Sequence, residues 1–420
     1  MRRANVATER PKSSRLGTLL CATALIGLVA IPFSASAQNQ TQSQAGKQSG
    51  TDIPTHVTEE ATVVPEEETG ILEAPAHNPR RVYVADQDNF NVINRIYAID
   101  GEQGKLLGML DGGMLVNVNL MPDDGRIVVS NTLFERVSRG ARNDFIEIWD
   151  PKTLSVTQEI DIPEERFLLM PMDAMSQITP DGQFLLYYRF SPAPGVGIVD
   201  LQNNKHITTV DVPDCYFVMP TAPDRFYMHC RGGSLLKVAF TRDGETKTTE
   251  SKPFHPPEQH IYDHPLFSAK TGKAYFISYD GTVYPADLSG EDPQFGQSWS
   301  MFSDQERQEN WRPGGWQVAA YHTPTNQIYV LVRQGGEFTH ANPSKEVWVY
   351  DANNGKRLKK IPLENSTNSI AISQDQNPLL FALDTHHSTL EIYDTGTGQR
   401  RSSIPNLGVT PHIVVTSSGS

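Results

Sequence analysis

The sequence runs to 420 residues, with 36 Lys and Arg against 49 Asp and Glu, a formal charge of -13 and 9% aromatic residues. So acidic a chain has no electrostatic footprint for nucleic acid, whose phosphates demand clustered Lys and Arg. Beyond the first forty residues no segment approaches the roughly 18 to 20 apolar residues of a transmembrane helix.

Arg2, Arg3, Arg10, Lys12 and Arg15 precede an apolar run from Leu19 to Ile31, and Ala35-Ser36-Ala37 follows. Charged, greasy, then small is the order of a secretory signal. Residues 1–37 are therefore expected to be a signal peptide cleaved after Ala37. Their loss, five basic residues and one acid, leaves the mature chain near -17. Residues 38–80 are rich in Gln, Ser, Thr and Glu, with Glu59, Glu60, Glu66, Glu67 and Glu68 and few aromatic rings. Such a segment buries too little surface to offset ordering, so an acidic, largely disordered arm is expected.

From 81 to 420 the texture changes to short runs of Val, Ile, Leu and Tyr between Gly, Pro, Asp and Asn. That is an all-β pattern. A unit recurs seven times, at Ile96–Asp100, Ile146–Asp150, Val196–Asp200, Leu235–Phe240, Val283–Asp287, Val347–Asp351 and Leu390–Asp394. The landmarks stand 50, 50, about 40, about 47, 64 and 43 residues apart, close to one four-stranded propeller blade each. The expected fold is a seven-bladed β-propeller. Pro122-Asp-Asp-Gly125, Pro180-Asp-Gly182 and Tyr279-Asp-Gly281 read as tight turns between strands. The longest interval holds Ser303 to Trp311, which predicts one short helix capped by Ser303, with Glu306 at the capping-box position.

Of three cysteines, Cys21 leaves with the signal. Cys215 and Cys230 lie in adjacent strand-like runs joined by Pro220-Thr-Ala-Pro-Asp224, so a hairpin disulfide is the economical expectation in an oxidising compartment. Catalytic signatures are sparse. No Gly-x-Ser-x-Gly elbow and no Gly-rich phosphate loop in a strand-to-helix context stand in the sequence. His255, His260 and His264 share a ten-residue stretch with Glu258 and Asp263, which admits a metal site, but three prolines deny the helix that would align them. A polar loop with local hydrogen bonds is the alternative. Trp311-Arg-Pro-Gly-Gly-Trp316 is either an aromatic patch for a ligand or subunit, or packing of a loop onto the ring. His386-His387 lies at a predicted turn.

Val212-Pro-Asp-Cys-Tyr216, Pro220-Thr-Ala-Pro-Asp224 and Met228-His-Cys230 through Phe240 carry a resemblance. So do Ile99-Asp-Gly-Glu102, Asp111-Gly-Gly113, Phe190-Ser-Pro-Ala-Pro194 and Trp311 to Gln317. Together they resemble the heavy subunit of methylamine dehydrogenase, with the aromatic amine dehydrogenase heavy subunit as the near relative. The resemblance implies a seven-bladed propeller in a periplasmic α2β2 enzyme that oxidises primary amines to aldehyde and ammonia. It implies that tryptophan tryptophylquinone and the catalytic base belong to a separate light subunit. It also implies electron transfer to amicyanin, and no cofactor, metal or catalytic residue in this chain. Phe90 matches the phenylalanine that lines the amine channel, and Cys215 and Cys230 match the family's intrachain disulfide. A free-standing binding propeller and a propeller enzyme with its own metal at His255, His260 and His264 are the competing expectations.

Overall fold

The computed structural model describes residues 73–87, 93–123, 125–163, 165–170 and 172–417. The expected signal peptide and most of the expected arm lie outside them. Seven antiparallel sheets follow one another along the chain and form the seven-bladed propeller. Blade 1 joins the C-terminal strand Pro411–Thr416 to Arg81–Asp86, Asn94–Asp100 and Lys105–Gly112. Val84 faces Val414, and Tyr83 faces Val415. Pairing the last strand with the first closes the ring and removes the open edge a linear stack would leave.

Most later blades run straight outward from the axis. Blade 2 is Asn117–Leu120, Ile127–Phe134, Arg142–Trp149 and Val156–Asp161, and blade 3 is Ser176–Ile178, Phe184–Arg189, Gly195–Asp200 and Lys205–Asp211. Blade 4 is Cys215–Ala222, Arg225–Cys230, Leu235–Phe240 and Thr246–Glu250. Blade 7 is Ser369–Ile372, Leu379–Asp384, Thr389–Asp394 and Arg400–Ile404. Blades 5 and 6 each carry a fifth strand. In blade 5, Leu266–Phe267, Lys273–Ile277, Thr282–Asp287 and Gln294–Phe295 are joined by Trp299–Ser300. In blade 6, Trp311–Pro313 pairs with the far half of Gln327–Gln334, beside Ala319–His322, Ser344–Asp351 and Arg357–Thr367. The Trp311 segment is thus part strand.

Side-chain alternation explains how the blades stack. Val82 and Val84 point into the cluster shared with blade 7, while Tyr83 and Ala85 point into the one shared with blade 2. Likewise Val129 faces blade 1 and Val128 faces blade 3. Both faces of an inner strand are buried, so these strands read as continuous apolar runs. The core is therefore distributed between blades, with no single centre.

The seven landmark runs are the third strands. Six end in Asp, and its carboxylate accepts backbone N–H groups just beyond: Glu102 and Gln103 for Asp100, Lys152 and Thr153 for Asp150, Gln202 and Asn203 for Asp200. Asp287, Asp351 and Asp394 do the same for Ser289, Asn353 and Thr397. Each is an Asx-type turn into the fourth strand. Blade 4 has no Asp there and uses the Thr241 hydroxyl, which accepts from the Glu245 N–H. The expected helix is Asp304–Gln308, with Ser303 and Glu306 closing a reciprocal capping box. Gly281 has φ +83° and abuts Phe302, so the Tyr279 turn needs its glycine for both conformation and space.

Candidate functional site: the loop-rich face

Because strands alternate in direction, the links emerge alternately at the two ends of the ring. The Asp turns and the links between first and second strands close one end tightly. The other end receives the links between blades and those between second and third strands. These include the long segments 162–175, 251–265, 301–318 and 335–343. The large exposed apolar side chains gather there: Ile93, Val137, Leu169, Phe190, Phe338 and Val409 are each 59 to 69% exposed. The other exposed large apolar residues among those described sit on outer fourth strands, except Leu133 at the loop-rich end of its strand.

Beneath this face lies a buried polar clamp. Arg166, 2% exposed, donates to the Leu115 carbonyl at 2.8 Å, to the Met114 carbonyl at 2.5 Å and to Asn117 at 3.2 Å. Its Nε stands 3.7 Å from Asp144, which Arg142 grips at 2.6 and 3.0 Å while also donating to the Arg166 carbonyl. Burial pulls the Arg166 guanidinium down to about 9, with Asp144 opposing. Asn94 and Asn131 hold Gly113 from the other side. The link 113–116 between blades 1 and 2 is thereby fixed at its backbone. Sequence reasoning missed Arg166, because its partners are main-chain carbonyls some 50 residues away and leave no motif.

Phe90 belongs to the neighbouring link between the second and third strands of blade 1, and it lies outside the described residues. Its flanks are anchored: the Gln87 amide donates to the Val116 carbonyl, and Asp86 accepts from Val409 and Thr410. The link therefore leaves blade 1 beside Val409 and returns at Ile93, on the apolar face.

The three loop histidines do not converge. His255 Nε2 lies 2.7 Å from His229 Nε2, and its Nδ1 is 2.8 Å from the Pro256 carbonyl. His260 packs on Tyr279 and Phe338, and His264 turns toward Trp316. No group of three or more His, Cys, Asp or Glu suited to a metal ion exists among the described residues. His387 bonds to Asp384 at 2.7 Å within its turn. Cys215 and Cys230 are directly opposite on the first two strands of blade 4 and form a disulfide.

Of the two tryptophans that bracket the turn, Trp316 is tied to the ring by its backbone N–H, which donates to the Asn368 carbonyl at 2.6 Å, and the Gln317 side chain exchanges two hydrogen bonds with the Val414 backbone. Trp311 packs on Trp348 with ring centres 4.9 Å apart. Trp348 is fully buried, covered by Trp311, Lys360 and Arg357, with its N–H donated to Glu346. The pair is built for packing and cation–π contact.

A family model for the methylamine dehydrogenase heavy chain matches residues 78–418. The chain belongs to the methylamine dehydrogenase heavy chain family. It is 42% identical to the methylamine dehydrogenase heavy chain of Paracoccus versutus, over 83% of this chain and 82% of that one. It is 40% identical to that of Methylophilus methylotrophus, over 86% and 89%. Among solved structures, the Cps50 (Swd1) β-propeller domain of Myceliophteria thermophila superposes with a TM-score of 0.52 at 10% identity, covering 77% of this chain and 99% of that one. The dihydro-heme d1 dehydrogenase NirN gives 0.51 at 11%, covering 82% and 77%. Those likenesses are of fold alone.

The buried histidines are expected to give this heavy chain an acid response. Burial pushes His229 and His264 down to about 4 from 6.5, and lowers His255, His322 and His340 as well. Unfolded imidazoles take up protons that the folded ones refuse, so this stability is present above pH 6.5 and is lost as the pH falls toward 4. Asp173 acts the other way. Burial pushes its carboxyl up to about 6 from 3.8, so its contribution is present at acid pH and is lost as the pH rises through 6. Glu147 and Asp263, also raised by burial, side with Asp173. With the histidines in the majority, the urea midpoint is expected to drop between pH 7 and pH 5. His264→Leu should shrink that drop and Asp173→Asn should enlarge it. A His264→Leu protein that keeps the full pH dependence contradicts the assignment.

Proposed function

We propose that this chain is exported to the periplasm and serves there as the non-catalytic subunit of an amine dehydrogenase. Its loop-rich face carries a small light subunit bearing tryptophan tryptophylquinone in an α2β2 assembly, and that subunit oxidises primary amines and passes electrons to amicyanin. The observation that carries this reading is the one-sided set of exposed apolar residues on a ring whose other end is closed by polar turns. In such an assembly the heavy chain's residues bind, orient and exclude water, and the quinone supplies the redox chemistry. Phe90, in the link anchored by Asp86 and Gln87, lines the amine entrance, where a rigid ring restricts substrate size by contact.

Co-expression with the light subunit tests the proposal. The two chains are expected to co-purify with amine-dependent dye reduction, and the heavy chain alone to show none. Val409→Asp together with Phe190→Asp should weaken assembly at least thirtyfold, the scale of one interface hot spot, while leaving the heavy chain folded. Phe90→Ala should shift the ratio of kcat/KM between a bulky amine and methylamine by about tenfold or more toward the bulky one. Amine oxidation by the heavy chain alone, or capture of a different partner in place of a quinone-bearing subunit, overturns the reading.

A further inference from the structure

Two strands that meet at the loop-rich end of blade 6 set a pair of arginines against each other. Trp311–Pro313 runs along the far half of Gln327–Gln334, and the register places Arg312 directly opposite Arg333. Opposed residues of an antiparallel pair project from the same face, where like charges destabilise the ladder. Both side chains are half-buried. A carboxylate is the ordinary remedy, and this chain applies it elsewhere: Arg142 has Asp144, Arg189 has Asp211 and Arg357 has Glu306. Among the described residues, neither Arg312 nor Arg333 has an ion pair. Glu309, the acid nearest in sequence to Arg312, accepts from the Trp311 indole instead.

The surroundings bring the two guanidiniums to one place. Gly314 and Gly335 cut a channel for Arg333: a Cβ on the first would stand 2.6 Å from its Cδ, and one on the second 3.1 Å from its Nη1. Its head is steadied by a single bond, from Nη1 to the Thr339 carbonyl at 3.3 Å. The buried Tyr262 hydroxyl donates to the Pro313 carbonyl at 2.8 Å and lies within the field of both arginines, whose charges oppose the rise that burial imposes on it. The Arg312 Nε is sealed without a partner. A ligand therefore meets the terminal Nη groups, which donate to no protein acceptor and reach solvent.

We infer that Arg312 and Arg333 form a binding site for a tetrahedral oxyanion of the phosphate or sulfate class, held between the two guanidinium forks. A planar guanidinium presents paired N–H groups that match the oxygens of such an anion. Two positive charges side by side suit one divalent anion better than a carboxylate group, which neutralises only half of them. Arg312 commits none of its Nη groups to the protein, and Arg333 commits only Nη1. The site is made by this chain alone, so its test is independent of light-subunit docking.

Calorimetric titration of the full chain with sulfate and with inorganic phosphate, in chloride buffer of constant ionic strength, tests this, with acetate as the planar control. Saturable binding of both is expected, about tenfold or more tighter than acetate, and weakened about tenfold or more by Arg312→Gln and by Arg333→Gln. Arg333→Lys keeps the charge but loses the fork, and should weaken binding as well. Arg231→Gln, at an exposed arginine in a blade 4 turn on the same face, should leave it unchanged. Spectra of the ¹⁵N-arginine-labelled wild type give a readout from the unaltered protein: the side-chain signals of Arg312 and Arg333 should shift on adding phosphate, and that of Arg231 should stay. Acetate binding as tight as sulfate, undiminished binding by folded Arg312→Gln and Arg333→Gln, an equal loss in Arg231→Gln, or unmoved Arg312 and Arg333 signals overturns the inference.

Discussion

Replacing Arg166 by Ala is expected to lower the unfolding free energy by about 3 kcal/mol and to loosen the loop-rich face before the ring opens. Hydrogen bonds from a charged donor contribute roughly 1.5 to 3 kcal/mol each, and Arg166 makes three, to Leu115, Met114 and Asn117. Relief from burying the guanidinium offsets part of their loss. Asp144 keeps Arg142 as a partner, so the uncompensated groups are the carbonyls of 114 and 115 and the Asn117 side-chain oxygen. Arg166→Lys retains the charge but not the fork that spans two carbonyls, and should fall between wild type and Ala. Urea unfolding measures the loss, and hydrogen exchange should show faster opening at 113–116 than in blades 5 and 6. If Arg166→Ala costs less than 1 kcal/mol, the clamp does not hold the link. Under the proposed function, the same variant is expected to raise KM more than it lowers kcat.

What could be read in advance follows from the physics of each element. The period of the landmarks was visible because every third strand must turn into a fourth, and an Asx turn puts the same residue type in the same place. The helix after Ser303 was visible because a capping box is written within four residues. Arg166 was invisible for the opposite reason, since main-chain acceptors carry no side-chain signature. The apolar face was equally hidden. Val137, Leu169, Phe338 and Val409 are scattered over more than 270 residues of sequence, and only the alternation of strand direction brings them to one end. Proximity in sequence does not bring the histidines together. His255, His260 and His264 lie within ten residues, yet each is claimed by a different partner: His229, Tyr279 with Phe338, and Trp316. Ring closure by Pro411–Thr416 on Arg81–Asp86 left no local trace, because its register is set by packing between blades 7, 1 and 2.

Removal of the disulfide is expected to cost about 3 kcal/mol, the entropy released to the unfolded chain by opening a fifteen-residue loop. Its position argues for a local effect as well. Phe217 has φ +65°, and the register between the first two strands of blade 4 slips between Tyr216 and Met219. The ladder is therefore interrupted below Cys215, and the cross-link secures the end of the strand that the interruption isolates. The same corner holds His229, stacked against Phe217 and bonded to His255. It also holds the turn at Gly233, which lies against the His255 carbonyl. Cys215→Ala with Cys230→Ala avoids burying two new hydroxyls, and should lower the unfolding free energy by that amount. Hydrogen exchange should rise at 215–217 and 229–234 while blades 6 and 7 keep their protection. A reduced protein as stable as the oxidised one would refute the cross-link's role. A global loss with no local signature would place its effect wholly in the unfolded chain. Because the 251–265 link rests on this corner through His255, the variant should also blur the loop-rich face on that side of the ring. Under the proposed docking of a light subunit on this face, its affinity should then fall even at temperatures where the propeller remains folded.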